Sequence, residues 1–137
     1  MPHEFESDLY PPDLEEFEAM AEAAFAALPE TFRSRCEGLL IRVADFAQDD
    51  VLEEMGIEDA FQLTGLYSGV DLTQKSVVDS GGLPDEVWLY RRPILDEWAE
   101  RGDTGLYELV SHVLVHEIGH HFGLSDEEID AILSRVH

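Results

Sequence analysis

A chain of 137 residues, 45% of them apolar, can bury one hydrophobic core but not two, which argues against both a disordered acidic polymer and a two-domain protein. Its 31 acidic residues against 8 basic ones leave a net charge of −23, a field that repels phosphate backbones and anionic lipid. Nucleic acid and membrane surfaces are therefore not expected as partners, whereas metal ions and basic peptides or proteins are.

In chain order, residues 1–12 are acidic, end in Pro11-Pro12 and read as a flexible tail, leaving 13–137 as the expected single domain. The tail has neither the basic segment nor the apolar run of an export signal, and no stretch is long enough to span a membrane. Asp13 is placed to cap a helix whose apolar positions Leu14, Phe17, Met20, Ala21, Ala24, Phe25 and Leu28 recur at helical spacing, with Glu15 and Glu16 in its first turn. Pro29 lies near its end, and a short helical turn follows through Arg35. Cys36 has no partner in the sequence and reads as a small buried hydrophobe, which suits a reducing cytoplasm.

Leu39 to Phe46 is an apolar run that reads as a buried strand, and Gln48 to Asp59 as a loop with one helical turn. Leu63 to Ser68 is a second predicted strand, and Val77 to Asp85, with Gly81-Gly82 and Pro84, a loop. Glu86 to Arg92 is rich in strand formers, and because Pro93 cannot donate to a ladder this third strand is expected to lie at a sheet edge or end there. Asp103 or Thr104 is expected to open a long helix carrying Leu106, Leu109, Val110, Val113 and Leu114, stopped by Gly123. Ser125 and Glu128 form a capping box for a last helix with Ile129, Ile132 and Leu133. The order predicts an α+β domain with a small mixed or antiparallel sheet.

The chemistry is concentrated in His116-Glu117-Ile118-Gly119-His120. Residues four apart sit one turn above each other, so both imidazoles project from one helix face toward one ion. Glu117 is rotated about 100° from His116 and stands beside such an ion as a base rather than a ligand. Gly123 follows His120 by three residues and Asp126 follows Gly123 by three. A left-handed glycine at the helix end reverses the chain, so that a residue just beyond it returns toward the histidines. Asp126 is favoured as third ligand; it is also well placed simply to stabilise a helix N-terminus, and Asp130, Glu127 and His121 are its alternatives. His112, one turn before His116, reads as a packed or supporting histidine, because a fourth protein ligand would close the catalytic position.

The stretch His116 to Asp126 resembles the motif of the small bacterial zincin-like metallopeptidases, the minimal zincins. The resemblance extends upstream through Leu66-Tyr67-Ser68-Gly69-Val70, Leu83-Pro84-Asp85 and Val87 to Pro93. It implies a compact α+β fold, one zinc per chain held by His116, His120 and Asp126, and hydrolysis of peptide bonds through a metal-bound water activated by Glu117. The chain departs from the metzincins, in which a histidine stands where Asp126 stands here, and it has no later methionine to underpin the site.

Tyr67, Tyr90, Tyr107 and Arg91 are the candidates for stabilising an oxyanion, and the strand Glu86 to Arg92 for holding an extended peptide. Expected substrates are peptides or proteins, basic ones in particular given the charge; a monomer is compatible with the sequence. The competing reading is a non-catalytic zinc-stabilised module whose acidic surface binds a basic protein, a role in which Glu117 has no function.

Overall fold

Three strands set the frame, and the alternation of side chains along them gives the sheet two differently used faces. The computed structural model describes residues 11–69, 85–129 and 131. Strands β1 (Leu40–Ala44), β2 (Gly65–Ser68) and β3 (Glu86–Tyr90) form a mixed sheet in the order β1-β3-β2. β1 runs parallel to β3, with Leu40 opposite Glu86; β2 runs antiparallel, with Gly65 opposite Leu89. The helices are α1 (Leu14–Ala26), α2 (Glu30–Arg33), α3 (Asp49–Met55), α4 (Arg91–Arg101) and α5 (Leu106–His121). The fold is α+β, as expected.

Val87 and Leu89 of β3 point into the main core, and the alternating Trp88 and Tyr90 face the other side, the period of two that a pleated strand imposes. The main core is closed by α1 and α5. Asp13 and Glu16 form a complete capping box at the start of α1, with bonds of 2.9 and 3.1 Å. Phe17, Met20, Ala21 and Ala24 are its buried stripe. Leu109, Val110, Val113 and Leu114 are the matching stripe of α5. Cys36 is buried in this core as a small hydrophobe, and burial pushes its thiol pKa up. On the opposite face a smaller cluster gathers Ala47, Leu52 of α3, Leu63 and Tyr90.

Several expectations change. β1 is an edge strand rather than a buried one, with Leu40 37% exposed. α3 is a seven-residue helix ended by Gly56, longer than one turn. β3 is the central strand and stops at Tyr90; Arg91 and Arg92 already belong to α4. Pro93 sits in the first turn of that helix, where a backbone N–H has no intrahelical partner to lose, so it places no limit on the ladder. α5 is capped by Gly105, not by Asp103 or Thr104. Pro12 is buried, and its carbonyl accepts from Arg91 Nε at 2.6 Å, so the fold takes hold of the chain before Asp13. Residues 1–10, the loop from Val77 up to Pro84, and Ile132 and Leu133 lie outside the described residues. Among the described residues no helix is long and apolar enough to cross a membrane.

β2 lies directly against α5 because Gly65 has no side chain. A Cβ there would stand 2.7 Å from Val113 Cγ1 and 3.2 Å from both Glu117 Cγ and the Trp88 carbonyl oxygen. Gly65→Ala is expected to push β2 off α5 and cost about 1–3 kcal/mol, the usual range for overpacking. Urea denaturation measures this; an unchanged or raised midpoint would show that the seam has room the geometry denies.

Candidate metal centre

The last two turns of α5 carry His116, Glu117 and His120, and the chain then reverses. Gly123 has φ +81°, its N–H donates to the His120 carbonyl at 2.9 Å, and the Leu124 N–H donates to the Gly119 carbonyl at 3.0 Å. These two bonds are the Schellman closure of a helix end. Ser125 and Glu128 then cap the next helical segment reciprocally, at 3.0 and 3.2 Å. Ile129 of that segment, 2% exposed, drops onto the bare backbone of Gly119, where a Cβ would meet Ile129 Cδ1 and Cγ1 at 2.6 Å. Turn, cap and docked isoleucine together fix where Asp126 lies.

That place is between the two imidazoles. Asp126 Oδ1 is 3.1 Å from His116 Nε2 and 3.0 Å from His120 Nε2. The rings are close to perpendicular, at 84° with centroids 5.1 Å apart. His120 Nδ1 lies 3.2 Å from the Leu124 carbonyl, which can only accept, so Nδ1 carries the hydrogen and Nε2 keeps its lone pair for a ligand role. The donor atoms of the three residues lie within 4.8 Å of one another. Ligands 2.0–2.1 Å from a tetrahedral zinc are roughly 3.3 Å apart, so the separations fit that ion, as does a set of two neutral nitrogens and one carboxylate oxygen. Among the described residues the group holds three donors, the number at which a coordination position stays open.

Glu117 sits beside this set, 9% exposed. Burial raises its carboxyl pKa; His116 and His120 pull it back down, Asp126 pushes it up, and a bond from the Tyr67 backbone N–H lowers it. Glu117 and His120 open onto a cleft of about 470 Å³ whose walls include Met55, Leu63, Leu66 and Tyr67. An apolar wall facing a convergent polar group is the make-up of a small-molecule or peptide site.

The remaining candidates are placed elsewhere. His112 is exposed on α5 and is not part of the donor group. Glu127 is exposed and likewise outside the group; Asp130 lies outside the described residues. Arg91 is committed to the Pro12 carbonyl and, at 2.9 Å, to Asp45. The Tyr67 hydroxyl is bonded to His121 at 3.0 Å, and the Tyr107 ring packs against the main core. Tyr90, 3% exposed, is near enough to feel Glu117: burial first, then the charges of Glu117 and Glu86, push its pKa up to about 12. It stays a hydroxyl donor at any physiological pH. His121, an alternative third ligand by sequence, is outside the donor group; it is buried, at 2%, with partners far upstream in the chain, and no local signal in the sequence points to that burial.

In the metal-free protein the raised pKa of Glu117 has a consequence for stability. Ionising a buried carboxyl costs folding free energy at pH values above its folded pKa. The cost shrinks as pH falls through that value and is gone below the ordinary 4.5, where folded and unfolded chains are both protonated. Glu117→Gln has no charge to bury, so without metal it is expected to melt above wild type at pH 7, with the gap closing as pH approaches 4.5. A gap indifferent to pH would show that charge burial is not its origin.

No curated protein sequence matches the chain. The family model described as zincin-like metallopeptidase matches residues 36–135, a span that takes in the whole sheet, the cleft and every residue from His116 to Asp126. The chain belongs to the zincin-like metallopeptidase family.

Proposed function

We propose that the protein is a zinc-dependent peptidase, one zinc per chain, in which His116, His120 and Asp126 hold the ion and Glu117 is the general base. The observation that carries this reading is the buried carboxylate of Glu117 next to three convergent donors. A site that only stabilised the fold would gain nothing from it and would bear the cost of burying it. Bound there, zinc supplies Lewis acidity and brings the pKa of a water toward neutrality. Glu117, its proton affinity raised by burial, takes the proton from the attacking water and passes it to the leaving amine.

The substrate backbone is best accommodated on β2. Alternate residues of a strand turn their N–H and C=O groups to opposite sides. The Thr64 carbonyl accepts from Tyr90, so Leu66 and Ser68 also face β3, while Gly65 and Tyr67 face outward along the cleft. An extended peptide laid along that side of β2 is within reach of Glu117. This replaces the expectation for Glu86 to Arg92, which has a neighbour on each side. Met55, Leu63 and Leu66 offer an apolar wall to one of its side chains. The net charge of −23 favours basic peptides, a preference that fades as salt screens the field.

Two measurements test this. Metal analysis should find one zinc per chain in wild type, none held tightly by His116→Ala or His120→Ala, and weakened binding in Asp126→Ala. Full occupancy in either histidine variant would mean that the ligands are different residues. In a peptide-library digest, Glu117→Gln should keep its zinc and lose about 10²–10⁴ in rate, mainly in kcat, since the proton transfer belongs to the transition state. Equal cleavage by variant and wild type would remove Glu117 from the mechanism, and no cleavage by either would favour the binding-module reading.

A further inference from the structure

Of the three donors, Asp126 is held least by its own surroundings. Its side chain is 72% exposed, against 25% for His116 and 32% for His120. Both imidazoles stand on α5, a helix buried along one stripe in the main core. Asp126 stands beyond the end of that helix, in the first turn of the following helical segment. Its carboxylate reaches the two imidazoles, but an exposed contact of that kind, open to competition from water, holds little by itself. The position of Asp126 is therefore decided by how its segment lies against α5.

One point of contact leaves a helical segment free to swing, and two fix its tilt. The first is the reversal, where the Gly123 N–H donates to the His120 carbonyl and the Leu124 N–H to the Gly119 carbonyl. The capping box of Ser125 and Glu128 shapes the segment internally and does not fix its angle to α5. The second point is Ile129, 2% exposed and seated on Gly119. A Cβ at 119 would stand 2.6 Å from Ile129 Cδ1 and Cγ1 and 3.6 Å from its Cγ2, so the seat exists only because the residue is glycine. Residues three apart on a helix share a face. Asp126 and Ile129 are three apart on one side, and His116 and Gly119 are three apart on the other. The two helical faces thus meet in two rungs: Asp126 Oδ1 at 3.1 Å from His116 Nε2, and Ile129 on the bare Gly119 backbone. The apolar rung is complete without any ion.

We propose that Ile129 is a positioning residue for the metal: seated on Gly119, it holds Asp126 over the two histidines before the ion arrives, so that zinc affinity depends on an apolar contact made by a residue that is not a ligand. The proposal rests on the reading of His116, His120 and Asp126 as zinc ligands. Support of a ligand by a neighbour that does not itself bind the ion is commonly worth roughly ten- to a hundredfold in metal affinity.

The test uses the full-length protein and measures zinc affinity by competition with a chromophoric chelator, with circular dichroism of each metal-free variant as the check on folding. Ile129→Ala should bind zinc roughly ten- to a hundredfold more weakly than wild type. Asp126→Ala should also bind more weakly, and the decisive variant combines the two. Once the carboxylate is gone the isoleucine has nothing left to position, so Asp126→Ala/Ile129→Ala should match Asp126→Ala within about twofold. A purely structural isoleucine would instead lower affinity by the same factor in both backgrounds, and that result would overturn the proposal. Gly119→Ala keeps every side chain of the segment and adds a strong helix former to α5, while its Cβ intrudes on the seat. It should weaken binding in the same direction, and it decides the question should Ile129→Ala fail to fold. Unchanged affinity in Gly119→Ala and Ile129→Ala alike, or in Gly119→Ala where the isoleucine variant does not fold, would overturn the proposal while a weakened Asp126→Ala left the ligand reading standing. Asp126→Ala binding as tightly as wild type would remove the ligand and its positioning together, and a wild type that took up no zinc would bring down the metal centre itself.

Discussion

The contact between β2 and α5 is the constraint on which the rest of the site depends. A strand backbone can lie against a helix at this distance only if the facing position has no side chain, and Gly65 meets that condition against Val113 and Glu117. Once the strand is there, its outward edge runs along the helix turn that carries the histidine pair. The cleft and its apolar wall follow, because the opposite face of the same strand turns Leu66 toward the smaller cluster around Leu63 and Tyr90. The core formed by α1 and α5 supplies the stiffness: α5 is buried along one stripe by Phe17, Met20 and the α1 alanines, so its last turns have little freedom to shift.

Electrostatically the molecule uses its acids in two ways. Most are solvated and leave a strongly negative field, which keeps the chain soluble and draws cations to it. Glu117 is the exception in the main site, held where water reaches it poorly and partly compensated by two imidazoles and one backbone N–H. That arrangement costs stability and raises proton affinity together. Stability given up at a site of chemistry is a common pattern in enzymes.

Local signals in the sequence were legible and distant ones were not. The start of α1 follows from Asp13 and Glu16, which bond each other three residues apart, and the cap at Ser125 follows from Glu128 in the same way. The histidine pair, its flanking carboxylate and the reversal at Gly123 are likewise contained in one helix and its end. α4 was overlooked because Arg91-Arg92-Pro93 reads as the end of a strand, although Ile94, Leu95 and Trp98 have helical spacing and a proline is at home in a first helical turn. The central place of β3 was beyond the sequence because strand order depends on which segments meet, not on any one of them. The burial of His121 was beyond the sequence for the same reason: its partners Tyr67 and Arg35 are 54 and 86 residues away.

The same contrast in separation bears on how the molecule assembles. His116 and Asp126 are 10 residues apart, so bringing the three donors together closes a very short loop and requires only a helix, a turn and a cap. Tyr67 must come from 54 residues before His121, after the sheet has formed. The donor cluster and the strand contact beside Glu117 thus belong to different stages of folding: the first closes within one helix and its end, and the second waits for the sheet.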